Sequence, residues 1–107
     1  MFSFELPEDH RILRGAVREF AEGVIAPQAQ ELDRTETFSV EITQQMADLG
    51  LFGIFVPEEY GGAGLDYLAY IIAVEEIARV DGSHAATVAA GNSLGIGPIF
   101  NFGTEAQ

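Results

Sequence analysis

The sequence contains no cysteine, so a disulfide framework, thiolate chemistry and a cysteine metal site are all excluded. The N-terminus also lacks a basic segment followed by an apolar run, which is the pattern of a secretory signal. The most apolar stretch, within residues 66–80, is too short and too polar at its ends to span a membrane. We therefore expect a cytoplasmic protein without membrane insertion.

Positive charge is scarce as well, because five arginines and no lysine face 17 acidic residues, giving a formal net charge of -12. This balance argues against nucleic acid or an anionic membrane surface as a partner. It also makes the chain a poor place to hold the phosphates of a nucleotide cofactor. Arg11, Arg14 and Arg18 share one predicted helix, but the acids interleaved with them favour a salt-bridged face over a phosphate site.

What the sequence does contain is a helix that is apolar on every side, predicted over residues 66–80. Asp66 can accept the orphan N–H groups of its first turn. A helix that is apolar all round is normally buried on more than one face. We therefore expect it at the centre of an all-α fold of about four or five helices. A chain of 107 residues supports one small domain, residues 1–107, or a piece of a larger protein.

The first predicted helix begins just after Pro7 and carries an apolar stripe at helical spacing. That stripe consists of Leu13, Ala16, Val17, Phe20 and Val24. Pro27 should kink or end this helix, because proline lacks the backbone N–H and clashes with the preceding turn. Residues 33–38 are then predicted to form a linker.

A second helix is predicted over residues 40–49, with Ser39 as its cap and Gly50 as its stop. Its apolar stripe consists of Ile42, Met46 and Leu49. Residues 52–56 have the propensity of an extended segment, but no second strand candidate lies nearby, so we expect a buried connector. The glycines of residues 60–64 are interpreted as a structural turn, since no lysine follows them and acids crowd the loop.

The last third of the chain is predicted to hold a helix of small residues from about residue 83 and a short helix over 94–102. Ser93 would cap the short helix and Gly103 would stop it. Residues 104–107 resemble the cap and first turn of yet another helix. We therefore expect the sequence to be part of a longer protein.

No self-contained active site or metal site can be assembled from these residues. His10 and His84 are predicted to be surface histidines near helix starts, without the repeated carboxylate spacing of a metal site. Glu75 and Glu76 are adjacent on a helix and point about 100° apart, so they cannot share one proton. Glu75 is instead predicted to pair with Arg79 at i,i+4.

A set of motifs, each weak alone, is similar in its order to the N-terminal helical domain of acyl-CoA dehydrogenases. The motifs are Val24-Ile25-Ala26-Pro27, Leu49-Gly50-Leu51, Val56-Pro57-Glu58-Glu59-Tyr60-Gly61-Gly62-Ala63-Gly64, Glu75-Glu76-Ile77-Ala78-Arg79, Gly91-Asn92-Ser93-Leu94-Gly95 and Phe102-Gly103-Thr104-Glu105-Ala106-Gln107. They cover nearly the whole chain. One departure is Ser39, where the family commonly has proline.

This resemblance implies an oxidoreductase of fatty acid metabolism, built from this domain, a middle β-domain and a C-terminal helical domain. It implies FAD as the cofactor and α,β-dehydrogenation of an acyl-CoA thioester, with electrons passed to an electron-transfer flavoprotein. It also implies a homo-oligomer, a dimer or a tetramer. The family's catalytic glutamate and most flavin contacts belong to the other two domains, so no catalytic or cofactor-binding residue is assigned in this chain, and the segment alone is expected to be inactive.

Carried over position by position, the resemblance places Thr87, Ala90, Gly91 and Leu94 in the wall around the acyl chain. These residues are small or aliphatic and recur at helical spacing, which suits such a wall but also suits packing of one helix on another.

Two alternatives stay open. The same domain could belong to an acyl-CoA oxidase, a nitroalkane oxidase or a flavin monooxygenase. The chain could also be a stand-alone helical interaction module without catalysis, with residues 51–56 as an exposed apolar patch. In the dehydrogenase interpretation, residues 51–56 and 96–102 are covered by the other domains or by a partner subunit.

Overall fold

The computed structural model describes residues 5–107, and every regular element in that range is helical. The α-helices are α1 (Glu8–Phe20), α2 (Ala26–Thr35), α3 (Val40–Asp48), α4 (Tyr67–Ala78), α5 (Gly82–Ala90) and α6 (Gly97–Phe102). A π-helical segment, Ala21–Ile25, joins α1 to α2, and a second one, Gly91–Ile96, joins α5 to α6. A short 3₁₀ turn spans Glu58–Tyr60. The chain thus forms four continuous helices, which confirms the all-α prediction.

The predicted central helix is α4, which packs against both α1 and α5. Its buried face consists of Ala69, Ile72, Ala73, Glu76 and Ile77. The core that surrounds this face includes Val17, Ile25, Ile42, Met46, Leu51, Ile54 and Val88. The expectation of burial on more than one face was wrong, because Leu68 is 43% exposed and Ile71 is 54% exposed. The domain therefore covers only one side of its most apolar helix.

Three predicted helix boundaries are confirmed by their hydrogen bonds. Ser39 Oγ accepts from the Ile42 N–H at 3.1 Å, and an Asp66 carboxylate oxygen accepts from the Ala69 N–H at 2.8 Å. Gly50 has a φ of +81°, and the two bonds of a Schellman motif close the end of α3 around it. Leu49 was wrongly placed in the apolar stripe, because it is the residue that leaves the helix and is 49% exposed.

The first helix does not end at Pro27, contrary to one of the two predicted alternatives. The π-helical segment Ala21–Ile25 precedes it, and Pro27 lies in the first turn of α2, where a missing N–H costs least. Helix α2 then continues through Thr35, so the predicted linker 33–38 was too long at its start. Glu36, with a φ of +54°, ends the helix in a left-handed conformation.

Residues 51–56, which we call the connector, are buried as predicted but are not extended. Gly53 has a φ of +82°, and its carbonyl accepts from the Val56 N–H at 3.1 Å, so the chain turns where strand propensity predicted a straight run. Leu51, Ile54 and Val56 are buried within this domain itself. The connector is therefore not an exposed patch awaiting cover, as both interpretations of the sequence had assumed.

The final helix also differs from its prediction, because Ser93 does not begin it. Helix α5 runs from Gly82, with Asp81 accepting from the His84 N–H at 2.9 Å, and continues through the π-helical segment into α6. Gly103 ends α6, as predicted. Residues 104–107 form a turn closed by the Gln107 N–H and the Thr104 carbonyl rather than a helix. None of the helices within residues 5–107 is long and apolar enough to cross a membrane.

Candidate functional site

The four residues predicted to border an acyl chain lie along one edge of α5 and the π-helical segment that follows it. Thr87 and Gly91 are half-buried, Ala90 is exposed and Leu94 is 79% exposed. The Thr87 hydroxyl donates to the Ser83 carbonyl at 3.1 Å, so its hydrogen-bonding capacity is used within the helix. We call these four residues the outer edge. They present a small, mostly apolar surface that the rest of the domain leaves open.

Behind the outer edge lies Phe52 of the connector. A Cβ atom added to Gly91 would lie 2.7 Å from Phe52 Cε1 and 2.8 Å from its Cδ1, which is closer than real Cβ contacts come. Glycine is therefore required at position 91 for the ring to approach the helix this closely. This contact could not be predicted from the sequence, because Phe52 and Gly91 are far apart in the chain.

Asn92 joins the same helix to the connector and is fully buried. Its side-chain oxygen accepts from the Gly53 N–H at 2.8 Å and the Ile54 N–H at 3.1 Å. Its amide nitrogen donates to the Leu51 carbonyl at 2.8 Å and the Val88 carbonyl at 2.9 Å. All four hydrogen-bonding positions of the side chain are thus filled, as burial of an amide requires. No role was predicted for Asn92, although an amide side chain among small and apolar residues is the signal that could have identified it.

The glycine turn at residues 60–64 holds no phosphate cradle, which confirms its interpretation as a structural turn. The N–H groups of Gly61, Gly62, Ala63 and Gly64 donate to carbonyls of Glu58, Pro57, Gly53 and Val56, respectively. A Cβ atom on Gly62 would collide with the backbone of Val56. The backbone donors of this loop are used internally, and none of these four is free for a bound anion.

The arginines are likewise committed to carboxylates. Arg11 pairs with Glu8, Arg18 with Glu22 and Arg34 with Glu31, as expected of a salt-bridged surface. The predicted Glu75–Arg79 pair was wrong: Arg79 bonds to Glu76 at 3.0 Å, and Arg14 reaches across from α1 to lie 3.4 Å from Glu76 and 3.6 Å from Glu75. The buried Glu76 carboxylate is thus paired with two arginines, one from its own helix and one from α1.

These pairings bear directly on FAD. All five arginines of the chain have carboxylate partners, and the glycine turn offers no free donors of the kind that hold a diphosphate. The residues of this chain therefore do not fit the phosphates of the cofactor by themselves.

Neither histidine is the plain surface residue that the sequence predicted. His84 is buried, and its Nδ1 bonds to the carboxylate of Asp81, the cap of its own helix. His10 on α1 is half-buried and bonds to Asp66, the cap of α4, at 2.9 Å. The hydrogen bond from His10, followed by that from the Ala69 N–H, lowers the pKa of Asp66 below its usual value. Within residues 5–107, no group of three or more His, Asp or Glu side chains is arranged to hold a metal ion.

Three cavities lie beside α6, and two of them also border the connector. One, of about 330 Å³, is lined by Phe55, Tyr67 and Tyr70 on one side and by Pro98 and Phe102 among others. Another, of about 370 Å³, lies between Val56, Tyr60 and the end of α6. None of the four outer-edge residues lines any of these cavities. The outer edge is thus an open surface in this chain rather than part of a closed pocket.

Comparison with known proteins gives a consistent result. A family model described as the N-terminal domain of acyl-CoA dehydrogenase matches residues 7–107. The mitochondrial short-chain specific acyl-CoA dehydrogenase of Mus musculus is 49% identical over 105 residues, which are 98% of this chain and 26% of that protein. Its match therefore covers the chain almost completely and the relative only in part.

Solved structures agree with the sequence comparisons. Butyryl-CoA dehydrogenase from Megasphaera elsdenii superposes with a TM-score of 0.91 at 36% identity, covering 98% of this chain and 28% of the other. A chain from a structure described as the electron transferring flavoprotein of Acidaminococcus fermentans superposes with a TM-score of 0.95 at 42% identity, with the same two coverages. The chain spans about a quarter of the length of these proteins. It belongs to the acyl-CoA dehydrogenase family and corresponds to the N-terminal domain of that family.

Proposed function

We propose that the whole protein is a flavin-dependent acyl-CoA dehydrogenase that acts on short acyl-CoA thioesters. Membership of the family supports the reaction, α,β-dehydrogenation. The preference for short chains is supported by relatives that are named short-chain specific or butyryl-CoA dehydrogenases. Because this chain spans about a quarter of those relatives, the catalytic residues are assigned to other parts of the protein.

Within that enzyme, we propose that this domain supplies one wall of the acyl-chain pocket along Thr87, Ala90, Gly91 and Leu94. The observation that carries this proposal is the exposure of Leu94, an apolar side chain left 79% open on an edge of otherwise small residues. A large exposed aliphatic side chain beside small neighbours is suited to line a ligand site that another domain closes. Packing of the same edge on a helix of another domain is the competing explanation.

The cofactor and partners follow from the family and remain part of the proposal. FAD supplies electron acceptance when bound, and its phosphates are assigned to other domains because the arginines of this chain are already paired. An electron-transfer flavoprotein is the proposed electron acceptor, and a structural neighbour described by that term supports it. We further propose a homo-oligomer, a cytoplasmic location and a role in fatty acid metabolism.

A larger side chain at position 90 tests the proposed pocket wall, because it would narrow the acyl-chain pocket. In the whole enzyme, Ala90→Phe should shift activity toward shorter acyl-CoAs, because the ring would occupy space that the acyl tail needs. The measurement is kcat/KM across a series of straight-chain acyl-CoAs. Ala47→Phe, which adds the same ring to an exposed position on α3, is the matched control and should leave the series unchanged. An unaltered chain-length profile in Ala90→Phe would overturn the wall.

A second measurement separates the dehydrogenase from the related oxidases. A dehydrogenase reduced by its acyl-CoA should react slowly with dioxygen and quickly with an electron-transfer flavoprotein. Rapid reoxidation by dioxygen would reassign the protein to the oxidase reaction while leaving the proposed pocket wall in place.

A further inference from the structure

We infer that Phe52, a residue of the connector, sets the acyl-chain length by filling the wall behind Gly91. This inference rests on the proposed pocket wall and adds to it a specificity-determining residue from another element. The four outer-edge residues do not by themselves imply this role, because Phe52 is distant from them in the sequence.

Position 91 has no space for a side chain. The direction in which a side chain would leave Gly91 is already occupied by the ring of Phe52, at 2.7 Å from the place of a Cβ atom. The ring is half-buried, so it packs on the core but also reaches the surface beside the helix. Phe52 therefore takes the place in the wall that a large residue at position 91 would take.

Hydrogen bonds from Asn92 hold the backbone that carries the Phe52 ring. Asn92 bonds to the backbone on both sides of Phe52, since it donates to the Leu51 carbonyl and accepts from the Gly53 N–H, each at 2.8 Å. It also accepts from the Ile54 N–H at 3.1 Å. The backbone on both sides of Phe52 cannot move away from this helix without breaking buried hydrogen bonds, each of which is costly to leave unmade, so the Cα atom that carries the ring is held beside Gly91.

The outer-edge residues Ala90 and Gly91 are too small to limit the acyl chain themselves. The outer edge has only a methyl group at Ala90 and no side chain at Gly91, which by itself leaves a roomy wall. The aromatic ring of Phe52, behind Gly91, fills this space. A change of one methylene in an apolar pocket alters discrimination by about 10- to 200-fold, so a ring at this place is large enough to decide between chain lengths.

The decisive experiment compares four-carbon and eight-carbon acyl-CoA as substrates of the whole enzyme. Phe52→Leu should raise the ratio of kcat/KM for eight carbons over four carbons by about tenfold, because the shorter side chain opens the wall. Phe55→Leu is the matched control. It removes the same ring from the same connector, but Phe55 stacks on Tyr67 at 4.8 Å and contacts Tyr70 rather than Gly91. Its ratio should stay at the wild-type value.

A second variant keeps the inference testable if Phe52→Leu folds poorly. Gly91→Ala drives a methyl group into the ring and should lower kcat/KM for the four-carbon substrate by about tenfold. That loss should be larger for the eight-carbon substrate, because a displaced ring would narrow the wall further along the acyl chain.

The outcomes separate the two proposals. A wild-type enzyme that oxidises neither acyl-CoA would overturn the proposed function, and this inference with it. An active wild type with an unchanged ratio in Phe52→Leu would overturn the role of Phe52 alone. Equal losses for the four-carbon and eight-carbon substrates in Gly91→Ala would do the same, because a narrowed wall must affect the longer chain more.

Discussion

Asp66 shows how a single residue joins two helices of this domain. Its carboxylate caps α4 through the Ala69 N–H and also bonds to His10 on α1 at 2.9 Å. The bond from His10, then the bond from Ala69, lowers the pKa of Asp66 below the ordinary value of 3.8. A carboxylate whose pKa is depressed by folding stabilises the folded state above its unfolded pKa. That contribution is lost as the pH falls through the lower folded value.

Asp66→Asn isolates this effect, because asparagine caps a helix about as well as aspartate but does not ionise. We expect the variant of the 107-residue chain to lose less free energy of unfolding than the parent when the pH falls from about 6 to about 3. Urea unfolding at several pH values is the measurement. Asp48→Asn, which removes an exposed carboxylate at the end of α3, is the control. Equal acid sensitivity in Asp66→Asn and the parent would show that the pair with His10 contributes nothing to stability.

Sequence reasoning succeeded for residues whose partners are local and failed for those whose partners are distant. Ser39, Gly50 and Asp66 were placed correctly because caps bond to residues only a few positions away. Glu75 was paired wrongly with Arg79, because Glu75 lies 3.6 Å from Arg14 of another helix while Arg79 bonds to Glu76. The contact between Phe52 and Gly91 was not predicted, because these two residues are also distant in the sequence.

At the scale of the elements, two glycines in helical regions have opposite effects on stability. Gly50 closes α3 with a φ of +81°, a conformation that residues with a Cβ atom adopt at a cost. Gly15 lies in the middle of α1 with nothing within 4 Å of the place of its Cβ atom. A glycine inside a helix costs conformational entropy that alanine does not.

Gly50→Ala should therefore destabilise the domain by about 1 kcal/mol, whereas Gly15→Ala should stabilise it by about 0.5–1 kcal/mol. A Cβ atom at position 50 would meet only Ala63, at an ordinary 3.7 Å, so the cost comes from the backbone. Chemical denaturation of the two variants beside the parent measures both values. A stabilising Gly50→Ala would mean that α3 does not end in this left-handed turn.

The types of the elements could be predicted from the sequence, but their continuity could not. Apolar spacing predicted α1 and α3, a run that is apolar on every side predicted α4, and a run of small residues predicted α5. The π-helical segments that extend the first and last helices were not predicted. In the second segment, Gly91, Gly95 and Gly97 argue against a helix by propensity. Side-chain hydrogen bonds offset that propensity. Two are tertiary, from Asn92 to the Leu51 carbonyl at 2.8 Å and from Tyr70 to the Ala89 carbonyl at 2.9 Å. Two lie within the helix, from Asn92 and Ser93 to the Val88 and Ala89 carbonyls at 2.9 Å and 2.7 Å.

At the scale of the whole molecule, the ordered motifs identified the family, and the fold then confirmed the architecture. Exposure could not be read in the same way. The connector was expected to need cover from outside, but Asn92 and the core bury it within the domain. Conversely, three aliphatic side chains remain exposed, those of Leu68, Ile71 and Leu94. Their exposure could not be predicted, because it depends on how all the helices pack together.

The most direct test of the proposed enzyme is the visible absorption spectrum of the native gene product, recorded anaerobically before and after addition of a four-carbon acyl-CoA. We predict a yellow flavin spectrum that bleaches as the substrate reduces the cofactor. A colourless protein, or a flavin spectrum that no acyl-CoA bleaches, would contradict the proposed activity and leave the family fold without it.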